Sequence, residues 1–238
     1  AIVRCATEAK LDGATIDARL PADAAIARTS ETTIHRIAFR TYREDGVAGV
    51  SSARVYLPTK PRSTPLPVIV VAHPTVGVAD DCAPSKDEGS LSDLALPFAA
   101  RGFAVIAPDY AGLGTDGVQG YTANRDTAHS VLDGARALRA MLAPGALDSR
   151  VLLVGYSQGG GAVQVALQLH DAAFPERRFP LPHCFQVFPA FGVTAIHPEQ
   201  FRVFGCEVLP CGVELLHPAA AGAANDCAVR RSSGMMKS

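Results

Sequence analysis

Three stretches of the chain are apolar without interruption: Val68-Ile69-Val70-Val71-Ala72, Phe103-Ala104-Val105-Ile106-Ala107 and Val151-Leu152-Leu153-Val154. A strand with one wet face alternates apolar and polar residues, so unbroken runs predict strands covered on both faces, as in a parallel sheet. Parallel neighbours need crossover segments, and the intervals between the runs carry helical patterns. Ser90-Leu91-Ser92-Asp93 fits a capping box ahead of Leu94 and Phe98, with Gly102 as a stop. Pro97 inside that stretch predicts a kink or a short helix. Between Asn124 and Leu142, Ala128, Val131, Leu132, Ala135, Leu138, Met141 and Leu142 recur every three or four residues, and Pro144-Gly145 ends the pattern.

Upstream the pattern changes. Thr33 to Arg40 alternates, as a half-buried strand does, Asp45-Gly46 marks a turn, and Ser52 to Leu57 reads as the antiparallel partner. Pro58 to Pro67 is a proline-rich connection, and residues 1–30 read as an irregular lead-in. A hairpin followed by β-α-β-α-β is an α/β layout. We divide the chain into a core over 1–178 and an atypical tail over 179–238, where βα alternation stops and Pro, His and Cys thicken. Gln186-Val187-Phe188 and Arg202-Val203-Phe204 are its candidate strands, and the change near Pro175–Pro180 reads as a truncated or frame-shifted chain.

Composition narrows the class. With 238 residues, 48% hydrophobic and 19% charged, the chain suits a folded domain rather than a disordered one. A net charge of −1 leaves no basic field for nucleic acid or an anionic membrane. No apolar run reaches the roughly 18 residues of a membrane span. Six cysteines without a CxxC pair point away from structural zinc and towards an exported protein, secreted or in the cell envelope, with some disulfides. The alternative is a reduced intracellular protein with ordinary buried thiols.

Gly155-Tyr156-Ser157-Gln158-Gly159 satisfies G-x-S-x-G, follows the buried run Val151–Val154 and precedes the helix-compatible stretch Ala162 to Leu169. Strand, tight turn and helix are the setting of a nucleophile elbow. Side chains at positions 155 and 159 would collide with the turn. Ser157 projects its hydroxyl at the sheet edge, and the Gln158 backbone N–H faces a developing oxyanion. A second oxyanion donor is expected in the loop after an earlier strand, here His73-Pro74-Thr75-Val76-Gly77. Thr75 N–H is the choice and Val76 N–H the alternative, since Pro74 has no N–H. His73 reads as a buried structural histidine. Gly112-Leu113-Gly114-Thr115-Asp116-Gly117 matches the GxGxxG dinucleotide fingerprint, but Pro108 and Asp109 separate it from the strand and no helix opens after it. It reads as a glycine-rich active-site loop, and no cofactor or metal is implied. Asp109 and Tyr110 stand at the strand's C-terminal end, either functional or as loop anchors.

Three blocks together resemble a known family: His73-Pro74-Thr75-Val76-Gly77 through Asp81-Cys82-Ala83-Pro84-Ser85; then Asp109-Tyr110-Ala111-Gly112-Leu113-Gly114; then Gly155-Tyr156-Ser157-Gln158-Gly159-Gly160. In order and rough spacing they are similar to the secretory lipases, the Candida antarctica lipase A group of α/β-hydrolases, over about residues 33–170. The resemblance implies an α/β-hydrolase with a mostly parallel central sheet and an antiparallel edge hairpin, incomplete at the C-terminus. It implies an exported lipase or esterase with a small-molecule ester or lipid substrate, Ser157 as nucleophile, a first oxyanion donor at Thr75 or Val76, and a disulfide at the Cys82 position. A triad also needs an acid and a histidine after the serine. The late histidines are His170, on or just after the elbow helix, His183, His197 and His217. His217, with Glu207 or Glu214, is the candidate pair. A decayed hydrolase that only binds an acyl ligand, and a serine peptidase or acyltransferase on the same scaffold, stay open.

Overall fold

The structure, a computed structural model, describes residues 2–20, 27–87, 92–173 and 191–195. These form a seven-stranded sheet ordered β1-β2-β3-β5-β4-β6-β7, with four α-helices among the described residues. The three unbroken apolar runs become β4 (Leu66–Ala72), β5 (Ala104–Pro108) and β6 (Leu147–Tyr156), and β4 pairs in parallel with both of the others. The alternating segments become the antiparallel pair β2 (Thr32–Tyr42) and β3 (Ala48–Pro58), joined through the turn at Asp45-Gly46. The centre of the sheet is therefore parallel. Antiparallel strands flank it on both sides, with β7 (Phe191–Ala195) paired to β6.

Helix α2 (Ser92–Ala99) connects β4 to β5 and α3 (Asn124–Met141) connects β5 to β6. Because β5 and β6 lie on opposite sides of β4, a common handedness of crossover puts the two helices on opposite faces of the sheet. The core divides accordingly. Val68 and Val70 pack with Val131, Leu138 and Val163 on one face; Ile69 and Val71 pack with Leu94, Leu96 and Phe103 on the other. This accounts for the lack of alternation in β4, where every residue from Val68 to Ala72 is buried. As Pro97 predicts, α2 is short, eight residues. The α3 pattern buries Ala128, Val131, Ala135 and Leu138 as expected. Among the described residues no helix is long and apolar enough to cross a membrane.

The N-terminal segment corrects the sequence reading. Instead of an irregular lead-in, Ile2–Leu11 forms edge strand β1, antiparallel to β2, and Gly13–Arg19 forms helix α1, capped by Asp12 accepting from the Thr15 N–H at 2.8 Å. Most of β1 is exposed, so it has no apolar alternation to betray it. Backbone pairing and the Glu8 carboxylate, which meets Arg36 at 3.1 Å and buried Arg54 at 3.2 Å, hold it instead. The two candidate strands of the tail lie outside the described residues.

Val70 is fully buried between β5 and β6, so Val70→Asp buries an unpaired charge. We expect a loss of about 3–5 kcal/mol, read from chemical denaturation. A cooperatively folded variant of near wild-type stability would contradict the central position of β4.

Candidate active site at the sheet edge

At β4 the chain switches direction across the sheet, to β5 on one side and β6 on the other. In open α/β sheets the crevice outside the strand C-termini at such a point is where ligands bind. Two segments leave the sheet there side by side, because Ala72, at the end of β4, is in register with Gly155 of β6. One is the loop His73 to Gly77. The other is the turn from β6 into α4 (Gln158–Ala173).

That turn has the geometry the G-x-S-x-G spacing predicts. Ser157 is exposed and sits at φ 52°, in the left-handed region that a non-glycine residue rarely adopts. Its carbonyl accepts the Gly161 N–H at 3.2 Å, so α4 begins directly after it. The Gln158 amide, in the first turn, has no acceptor within the helix. The flanking glycines are sterically required. A Cβ on Gly155 would run into the Gly159 carbonyl, and a Cβ on Gly159 into the carbonyls of Ala72 and His73. Thr75 is half-buried in the neighbouring loop, its hydroxyl donating to the Tyr121 hydroxyl at 3.3 Å, and Val76 is buried beside it. Ser157, Gln158 and the Thr75 loop are thus brought to one edge.

Beneath this edge lies a layer of buried polar groups that the sequence shows only in part. His73 is fully buried, as expected of a structural histidine, with Nδ1 2.6 Å from the Pro74 carbonyl and Nε2 3.1 Å from the Asp109 carbonyl. Whichever nitrogen carries the proton has a carbonyl to receive it. The Asp109 carboxyl, also fully buried, accepts from the Ser52 hydroxyl at 2.6 Å and the Ser85 N–H at 2.8 Å. Burial pulls the His73 imidazole below its ordinary value, against the two carbonyls that favour its protonated form. Burial likewise pushes the Asp109 carboxyl above the usual range, opposed by Ser52 and Ser85. Tyr110 packs its ring on His73, with centroids 4.2 Å apart. Of the two readings of Asp109 and Tyr110, their burial favours anchors. Nothing in the sequence singles out Ser52, which lies in a strand whose alternation predicts half-exposure. Ser85 sits in one of the blocks that carry the family resemblance.

The GxGxxG segment lies in the loop between β5 and α3, where no helix opens before Asn124. The Arg43 guanidinium ties this loop to the β2–β3 turn by donating to the Val118 carbonyl and pairing with Asp126, each at 2.7 Å. The Thr115 hydroxyl donates to the Val50 carbonyl at 2.7 Å. Cys82, in a short turn at Asp80–Cys82, is disulfide-bonded, and its partner lies outside the described residues. His170 is on α4, as expected. His183, His197, His217, Glu207 and Glu214 all lie outside the described residues.

Strand order and crossovers define an α/β-hydrolase fold, and the comparisons agree. The chain is similar to the rice cell wall degrading esterase LipA from Xanthomonas oryzae, with a TM-score of 0.59 and 22% identity over 75% of this chain and 47% of the esterase. It is similar to lipase A from Candida antarctica in its closed state, with a TM-score of 0.52 and 24% identity over 74% of this chain and 39% of the lipase. The chain spans less than half the length of these two structures. The family model described as secretory lipase matches residues 92–179, from α2 through the elbow and α4, so the resemblance to that family holds. None of the curated proteins compared matches the sequence.

The crowding at Gly159 gives a test with an internal control. We expect Gly159→Ala to cost about 3 kcal/mol, since the new Cβ meets backbone that cannot yield. Two residues on, Gly161→Ala meets only the Asn124 side chain at 3.2 Å and gains helix propensity, so it should stay within about 1 kcal/mol of wild type. Equal thermal stability of the two variants would misplace the elbow.

Proposed function

We propose that the protein is a serine-dependent carboxylic ester hydrolase, a lipase or esterase acting on acyl or lipid esters. The observation that carries this reading is Ser157, exposed at φ 52° between two glycines that admit no Cβ, at the edge where β4 and β6 end. Strain of that kind costs of order 1–3 kcal/mol and persists where surrounding structure enforces it, commonly at functional sites. The secretory lipase match over the elbow and the likeness to an esterase and a lipase support the same class.

In this reading Ser157 Oγ bonds to the acyl carbon, and the carbonyl electrons move to oxygen, which the backbone N–H groups of Gln158 and Thr75 stabilise. The carbonyl reforms as the alcohol leaves with the serine proton. Water then attacks the acyl-enzyme, the acid departs, and the serine regains its proton. The candidate for the group that carries the proton is His217, oriented by Glu207 or Glu214; all three lie outside the described residues. No nucleic-acid partner and no cofactor enter the scheme. Export is the matching location: the family is described as secretory, and the Cys82 disulfide suits an oxidising compartment.

Ser157→Ala should lower turnover of p-nitrophenyl esters by at least about 1,000-fold and abolish labelling by a fluorophosphonate, with the thermal midpoint unchanged. A variant retaining turnover within about tenfold of wild type would remove Ser157 from the nucleophile role.

A further inference from the structure

The Asp109-Tyr110 pair has no part in the reaction as written, yet it is built into the junction between the two catalytic segments. Tyr110 follows β5 and is 1% exposed. Its backbone is left-handed, at φ 75°, which is costly for a bulky residue and persists only where neighbours over-determine it. The neighbours do so: its ring lies on His73 and its hydroxyl donates to the His73 carbonyl at 2.8 Å. That carbonyl is also one that a Cβ on Gly159 would reach, at 2.8 Å. A single backbone oxygen, two residues before Thr75, therefore receives the Tyr110 phenol and faces the first turn of α4. On the other side of the same peptide segment, the His73 ring reaches the Pro74 and Asp109 carbonyls, and Asp109 is in turn held by Ser52 and Ser85.

We propose that Tyr110 is a positioning residue of the oxyanion hole: its hydroxyl, by holding the His73 carbonyl, sets where the Thr75 amide stands relative to Ser157 and Gln158. The inference rests on the ester-hydrolase reading above. A core tyrosine that merely satisfies its hydroxyl could have bonded to any buried carbonyl. This one bonds to the carbonyl shared by the oxyanion loop and the elbow, and the chain accepts a strained backbone to put it there. An oxyanion donor must meet charge that develops only in the transition state, so a displaced Thr75 amide lowers kcat and leaves ground-state binding alone.

The test is Tyr110→Phe, which keeps the ring and its stack on His73 and removes only the donor. Turnover of p-nitrophenyl esters should fall about 10–100-fold in kcat, with KM within about threefold and the thermal midpoint within a few degrees. Affinity for a boronic acid, which forms a tetrahedral adduct on the serine, should fall in step with kcat/KM. Where Tyr110→Phe is too unstable to assay, p-methylphenylalanine in place of Tyr110 fills the hydroxyl's space without a donor and should show the same loss. A kcat within twofold of wild type in either folded variant overturns the proposal, as does a loss shared equally by kcat and KM. Ser157→Ala in the same assay separates the two readings. If it is inactive while Tyr110→Phe is fully active, only the role of Tyr110 fails. If it is itself active, the ester-hydrolase reading fails and the proposal with it.

Discussion

The first turn of α4 lies so close to the end of β4 that no side chain fits between them. At Gly159 the helix backbone rests on the carbonyls of Ala72 and His73, and at Gly155 the strand backbone rests on the helix it is about to enter. Much of the site follows from this close approach. The chain must reverse from strand to helix within one residue, and that residue is Ser157, left-handed and exposed. The loop after β4 must leave the sheet beside the elbow, because parallel pairing sets Ala72 against Gly155. Packing of α3 and α4 on one face and α2 on the other supplies the apolar burial that makes so tight an arrangement affordable.

Under the edge, the physical problem is different. His73, Asp109 and Tyr110 are buried ionisable groups, and burial moves each of them towards its uncharged form. A neutral layer costs far less in a low-dielectric interior than one carrying an isolated charge, although a neutral His73 can donate to only one of its two carbonyl neighbours. It also joins elements far apart in sequence. Ser52 of β3, Ser85 of the turn after β4 and Asp109 after β5 meet at one carboxyl. Loops assembled from three strands are thereby given a common reference point.

The parallel centre of the sheet was legible because burial on both faces leaves a direct mark, the unbroken runs of β4, β5 and β6. The hairpin β2–β3 was legible through alternation, and α3 through its three-and-four spacing. The tight turn from β6 into α4 was legible, since only glycine suits positions 155 and 159. Strand β1 was illegible for the converse reason: it is held by backbone pairing to β2 and by the ion pairs of its Glu8 with Arg36 and Arg54, and neither imposes a periodicity on side chains. The buried polar layer was half legible. His73 and Asp109 stood out as ionisable groups at strand ends, but which polar neighbours would face them depends on the registers of β3 and β5, and register is set by long-range pairing. The acid and base of a triad were legible only as a candidate pair, His217 with Glu207 or Glu214, because a histidine late in a chain has no local pattern that distinguishes a base from a surface residue.

Strand β1 also shapes how the molecule meets its own kind. The outer edge of a sheet offers unpaired N–H and C=O groups to any passing strand, and long, flat, apolar edges invite aggregation. This one breaks register with β2 twice, between Ile2 and Arg4 and again between Thr7 and Ala9, and it carries Arg4, Glu8 and Lys10 along its length. A second copy approaching edge to edge would have to match both irregularities and strip water from those charges. The side of the sheet remote from β7 is in this way a poor template for fibre growth, a property secured by the same irregularity and charge that hid the strand from view.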